Sequence, residues 1–391
     1  MTMITDMHTH IGGDEPLIKK WFRSYFFKDT QPRYWIKDFS QFWKLSRASG
    51  KWNDTIMYNM GSLLSIFGLN LVNNSSDVLE INKAEYVEKA VVLAIGPKVT
   101  NGEVDIYNSA FYCSNDYVID FCRGQDRLVP GISINPLASN AISELERLVK
   151  GKEGAKVIKL FPSIQEWHAD GVDDEGRKLE YIEKLVKFYD RIAKIGIPAM
   201  IHTGVEETID PDNEYFRIRG GDINKLSLLI ASGATVIGAH CGYDASFWSA
   251  QKDQHQDMEA AVEAMKKYPN FYTDASGALT CQYPYIGSIA TDAFPEHLDK
   301  MVYGSDLPVE LFDPYDMLGR VNDERRTEGS NRQLNLMFTL LGDMRRNEKL
   351  MACKNRFDKH YLMTKSILHS LGISEERQEA YFTRGATMIK R

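Results

Sequence analysis

The chain has 391 residues, 43% of them apolar and 26% charged, with a formal charge of −7. That is the composition of a soluble globular protein able to bury a core without disulfide staples. Its mild acidity argues against a nucleic-acid or anionic-membrane partner. The opening Met1-Thr2-Met3-Ile4-Thr5-Asp6 lacks the basic and apolar regions of a signal peptide, and no run has the length of a transmembrane helix. Cys113, Cys122, Cys241, Cys281 and Cys353 form no Cys-x-x-Cys, so reduced thiols and a cytoplasmic location are expected.

The first apolar run, Ile4–His10, reads as a strand. An insertion follows at 11–85, rich in aromatics such as Trp21, Phe22, Tyr25, Trp35, Trp43 and Trp52. It is expected to pack as a subdomain, to cap the pocket or to form a dimer contact. Further strands are predicted at Lys89–Ile95, Leu128–Asn135, Ala155–Pro162, Ile197–Gly204, Thr235–Gly242, Phe271–Gly277 and Met301–Pro308. Several are apolar at successive positions, as strands buried on both faces are. Helical spacing fills Leu137–Lys150, Lys178–Ile195, Ile223–Ser232 and Asp257–Tyr268, with Gly196, Gly233 and Pro269 at their ends. A second insertion, at 312–372, is charged and predicted helical. Strands alternating with helices predict one closed (β/α)₈ TIM barrel over 1–391, with an open doubly wound sheet as the alternative. No Gly-x-Gly-x-x-Gly follows any strand, which counts against dinucleotide binding.

Alternate residues of a strand share a face, so His8 and His10 point the same way, at the end of the first strand where barrel sites are built. Neutral imidazole is a good ligand for zinc and similar cations. Later strands end in His202, His240 and Asp306. A buried polar group needs a partner to offset desolvation. Several of them in the same topological place point to a shared site.

This pattern resembles the amidohydrolase superfamily, in particular its amidohydrolase-2 branch. Gly304-Ser305-Asp306-Leu307-Pro308 and Ala239-His240-Cys241-Gly242 match that branch closely, and Arg384-Gly385-Ala386 is a looser echo. The resemblance covers the barrel strands and neither insertion. It implies one or two divalent metal ions, zinc by expectation, held by His8, His10, His202 and Asp306. It also implies that Asp306 moves the proton of a water and that His240 orients or protonates the substrate. His202 could instead stand behind a ligand.

Lys159 lies inside the apolar run Val157–Pro162 and by parity faces inward. Some members of the superfamily carbamylate a lysine on this strand to bridge two metals, and the local string is similar to that of dihydroorotase. A free amine for an anionic substrate group and a structural ion pair are the other readings of Lys159. Asp6 shares the parity of the two histidines and is expected to support them. Gln165 and Trp167 are candidates to line the pocket, Arg217 and Arg219 to bind a carboxylate, and Asp274 and Ser276 to touch substrate. The remaining histidines read as surface or packing residues.

The resemblance implies a metal-dependent hydrolase of an amide, lactone or related bond in a small molecule. A decarboxylase or hydratase of the same branch is the alternative, and a non-catalytic binding barrel the third reading. Asp6, where some decarboxylases of the branch have Glu, leans toward hydrolysis. A small-molecule substrate and a homodimer are the expected partners.

Overall fold

The computed structural model describes residues 3–11, 78–106, 108–109, 111–206, 213–242, 256–277, 289–290, 293–307, 339–340 and 342–389. The aromatic stretch of the first expected insertion lies outside the described residues, as does 308–338.

One sheet holds eight parallel strands in chain order: β1 (Thr5–His10), β2 (Lys89–Leu93), β3 (Leu128–Ser133), β4 (Val157–Leu160), β5 (Ala199–His202), β6 (Val236–Ala239), β7 (Phe271–Asp274) and β8 (Met301–Val302). Each falls on a run predicted from the sequence, and each is shorter than that run. The trimmed ends have a backbone cause. His240, Cys241 and Asp306 have φ of 66°, 52° and 67°, a left-handed conformation that leaves the ladder. The sheet closes on itself past β8. Met7 N–H donates to Tyr303 O at 2.9 Å, Asp306 N–H to His8 O at 2.8 Å and His10 N–H to Leu307 O at 2.6 Å. The result is a (β/α)₈ barrel.

Helices Asn115–Cys122, Ala141–Leu148, Ile182–Ile195 and Gln256–Lys267 separate the strands. Ile182–Ile195 stops where Gly196 turns left-handed at φ 80°, as its sequence position predicts. The segment Ile223–Ser232 splits into a 3₁₀ turn, Ile223–Leu226, and a short helix, Ser227–Ala231. Within the second expected insertion, Arg356–Ser370 packs Phe357, Met363, Ile367 and Leu368 into the main core. Its Asp358 carboxylate accepts the backbone N–H groups of Glu85, Tyr86 and Val87. This helix therefore belongs to the layer that wraps the barrel. Among the described residues no helix is long and apolar enough to cross a membrane.

The larger apolar core lies between strands and helices. A smaller one plugs the barrel with Met7, Val91, Leu93, Val129, Val157, Met200, Ile237, Ala239 and Val302. Two residues beyond members of that plug, on the same strands, stand Lys159 and His202. The barrel interior thus turns from apolar to polar within one pleat repeat, at the end where barrel enzymes carry their sites.

Candidate metal centre

β1 and β2 pair as Thr5↔Lys89 and Asp6↔Ala90, then as Thr9↔Val92 and His10↔Leu93. One extra residue of β1 is absorbed between, a bulge that re-aims the side chains after it. His8 and His10 then bring their Nε2 atoms to 3.1 Å. Asp306 Oδ1 lies 3.5 Å from the first and 3.6 Å from the second. Gly304 makes room for this meeting of strands, since a Cβ there would stand 2.8 Å from His8 Cβ and 3.3 Å from Asp274 Oδ2.

Behind this trio lies a hydrogen-bonded support. His8 Nδ1 is 2.9 Å from Asp274 Oδ2. The other Asp274 oxygen accepts His240 N–H at 2.8 Å, Ser276 N–H at 3.1 Å and Ser276 Oγ–H at 2.5 Å. His240 Nδ1 is 3.0 Å from Ser276 O. Asp6 Oδ1 accepts the backbone N–H of His8 at 3.1 Å and of Ser305 at 3.0 Å, tying β1 to the turn that carries Asp306. Asp6 thus supports His8 through the backbone. Asp274 and Ser276, which the sequence suggested for substrate contact, contact His8 and His240.

Burial sets the protonation states. It lowers His8 to about 3, with the Lys159 charge adding to the effect, and His240 to about 4 for the same reasons. Burial also holds His10 and His202 well below the usual imidazole range. All four rings are therefore neutral near pH 7, the form that binds metal. Burial would raise Asp274, but the charge of His8 and its hydrogen bond outweigh that and hold the carboxyl low. Burial pushes Asp306 up and Lys159 down. It also raises Asp6 to about 7, against the hydrogen bonds from Ser305 and His8.

The donor set fits a divalent cation. With Nδ1–H given to Asp274, His8 keeps its Nε2 lone pair for the space shared with His10 and Asp306. Two imidazole nitrogens and a carboxylate oxygen suit zinc or a similar metal. A second group, His8, His240 and Asp274, has comparable spacing. There Asp274 is already bonded to His8 Nδ1 and His240 Nδ1 to Ser276 O, so this group braces the first.

The other candidates fall on either side of this centre. His202 is buried, stacks on Phe161 with centroids 4.5 Å apart, and stands 5.0 Å from the His240 ring. Neither of its ring nitrogens makes a hydrogen bond among the described residues, and its Nε2 lies 3.5 Å from Glu206 Oε2. The structure thus places it beside the His8–His10–Asp306 trio, outside the closest set. Lys159 is fully buried with Nζ 3.1 Å from His8 Nε2, inward as its parity predicts. It makes no ion pair among the described residues. Gln165 is buried at the end of the short helix Pro162–Gln165 that follows β4. Trp167 is not brought to the centre: it is packed in the main core and gives its indole N–H to Gln165 Oε1 at 3.3 Å. Arg219 is exposed, and Arg217 reaches the Glu206 carbonyl at 3.4 Å. Glu206, only 3% exposed, was missed in the sequence. Its signal was a carboxylate four residues after His202, past a glycine at φ 88° that turns the chain back.

The model of the amidohydrolase family matches residues 90–338, more than half of the chain, and the chain belongs to that family. β1, with His8 and His10, precedes the matched stretch. A solved structure described as amidohydrolase II is 13% identical over 99% of this chain and 100% of its own, with a TM-score of 0.43. The 5-carboxyvanillate decarboxylase of Sphingomonas paucimobilis is 12% identical over 85% of this chain and 96% of its own, with a TM-score of 0.43. Dihydroorotase from Campylobacter jejuni is 12% identical over 85% and 80%, with a TM-score of 0.33. No curated protein matches the chain.

Proposed function

We propose that this member of the amidohydrolase family is a metal-dependent hydrolase of an amide, lactone or related bond in a small molecule. The observation that carries the reading is the meeting of His8 Nε2, His10 Nε2 and Asp306 Oδ1 within 3.1 to 3.6 Å. His8, His10 and Asp306 would hold the ion, with His202 the next nearest candidate. A divalent cation in that place supplies Lewis acidity, which polarises a carbonyl oxygen and makes water a stronger acid.

The chain's own groups do the rest. Asp274 fixes the His8 tautomer, and Asp6 fixes the β1 backbone. Asp306, whose carboxyl burial raises, takes the proton of the attacking water and returns it to the leaving group. His240 gives its Nδ1–H to Ser276 O, so its Nε2 presents a lone pair that orients a substrate N–H or O–H. The test is metal analysis of the purified protein with a turnover screen of lactones, N-acyl amino acids and cyclic amides. Bound metal with hydrolysis of at least one class is expected. Metal-loaded protein that hydrolyses none of them sinks the reading.

One observation favours decarboxylation as the second reading. The Lys159 amine lies 3.1 Å from His8 Nε2 with no ion-pair partner among the described residues, a placement suited to a substrate carboxylate. Release of carbon dioxide from aromatic acids in the same screen selects this reading.

A further inference from the structure

The end of the barrel opposite the metal centre is also concave. A cavity of about 430 Å³ lies where β2 and β3 begin and just ahead of β4. That is the size of a small-molecule site. Its floor is apolar. Leu128 and Val129 of β3 form it, with Ile119 of the helix Asn115–Cys122 and Ala386 and Ile389 at the end of the helix Glu375–Met388. Of the nine residues that plug the barrel, Val129 alone keeps any surface, 7% against 0% for the others. The cavity therefore reaches the plug from below.

The charged groups around this floor do not cancel. Arg123 bonds Asp120 at 2.8 Å and Glu153 at 3.2 Å, so Glu153 is answered within the chain. Lys89 and Lys156, both half-buried, and the exposed Lys152 make no ion pair among the described residues. Asp126 is the remaining carboxylate of the lining. Three lysines thus face one carboxylate over an apolar hollow, in a chain whose formal charge is −7. An apolar floor rewards a ligand that brings its own apolar surface, and unpaired lysines at the rim reward a negative charge. Phosphate is the weaker fit, because Arg123, the guanidinium able to grip it bidentately, is already engaged.

We propose that this cavity binds a small organic acid, one carboxylate on an apolar body, with the body on Val129 and Leu128 and the carboxylate between Lys89 and Lys156. The site is separate from the metal centre and stands whether or not the hydrolase reading does.

Hexanoate, hexanamide and acetate are the matched probes: body with charge, body without charge, and charge without body. In ligand-observed NMR titrations of the metal-loaded protein, hexanoate binds. Hexanamide binds roughly fivefold more weakly at low salt, and the gap closes as salt is raised. Acetate binds at least roughly tenfold more weakly, since it buries almost no methylene. Lys89→Gln with Lys156→Gln abolishes the hexanoate preference over hexanamide and leaves metal content and melting temperature at wild-type values. His8→Ala leaves hexanoate affinity unchanged, which separates this cavity from a carboxylate bound near Lys159. The proposal is overturned if hexanoate does not bind or if its binding survives the double lysine variant undiminished. Loss of hexanoate binding in His8→Ala also overturns it, as does acetate or inorganic phosphate binding as tightly as hexanoate.

Discussion

The two halves of the barrel interior are built on the same strands and do opposite things. The lower half is an apolar plug of residues such as Leu93, Val129, Val157, Met200 and Val302. The upper half, one inward position further along, is a ring of buried His8, Ser133, Lys159, His202 and Asp274, with Asp306 at its rim. Burial stabilises the first and works against the charged forms of the second. The lesson is a division of labour along each strand. The plug keeps the barrel closed, and the ring keeps its imidazoles neutral because the plug keeps water out beneath them.

The division can be broken from either side. The largest effect is expected from His8→Ala: metal content falls to background in elemental analysis, with hydrolysis, while the fold survives by circular dichroism. Full metal content in that variant would end the assignment. Leu93→Ala in the plug should cost about 2–5 kcal/mol in denaturant unfolding, with metal still bound in native protein.

Acid should separate the halves next. His8 and His240, lowered to about 3 and about 4 by burial, stay neutral in the fold, whereas the unfolded chain protonates them below its ordinary imidazole value of 6.5. The unfolded state thus binds more protons, and stability of the metal-free protein falls as pH drops from 6.5 toward 3, by roughly 2 kcal/mol per histidine at pH 5. Asp6, raised to about 7, and Asp306, also raised by burial, run the other way and offset part of this loss. A flat melting temperature between pH 7 and 5 would contradict the neutral ring. The smallest effect belongs to Asp274→Asn, which loosens the His8 tautomer and should weaken metal binding about 10- to 100-fold in a chelator competition.

The plug was easier to read in the sequence than the ring. All eight strands show as apolar runs because parallel strands are buried on both faces. Lys159 was placed inward by pleat parity alone. Parity fails where the backbone departs from the pleat. The bulge between Asp6 and Thr9 interrupts the shared face expected for Asp6, and the left-handed residues His240 and Asp306 lie past the ladder. Glu206 escaped notice because it sits in a loop beyond the glycine turn. Asp274 and Ser276 were recognised as sharing a face, but what they touch is a histidine 266 and 268 positions away. Trp167 looked like a pocket residue by proximity to β4. Only packing shows that its ring belongs to the outer core.

The closing seam has a consequence for the order in which the protein is made. Asp6 and Ser305 bond across 299 positions of chain, and the donors of the candidate centre lie on that same seam. Two of the three donor groups lie on the first barrel strand, and the third follows the eighth, so it is made only when the barrel is nearly complete. Such long-range pairing is slow to form. A cation captured by His8, His10 and Asp306 together would act as a latch on a completed ring, closing only around a chain whose first and last strands have met.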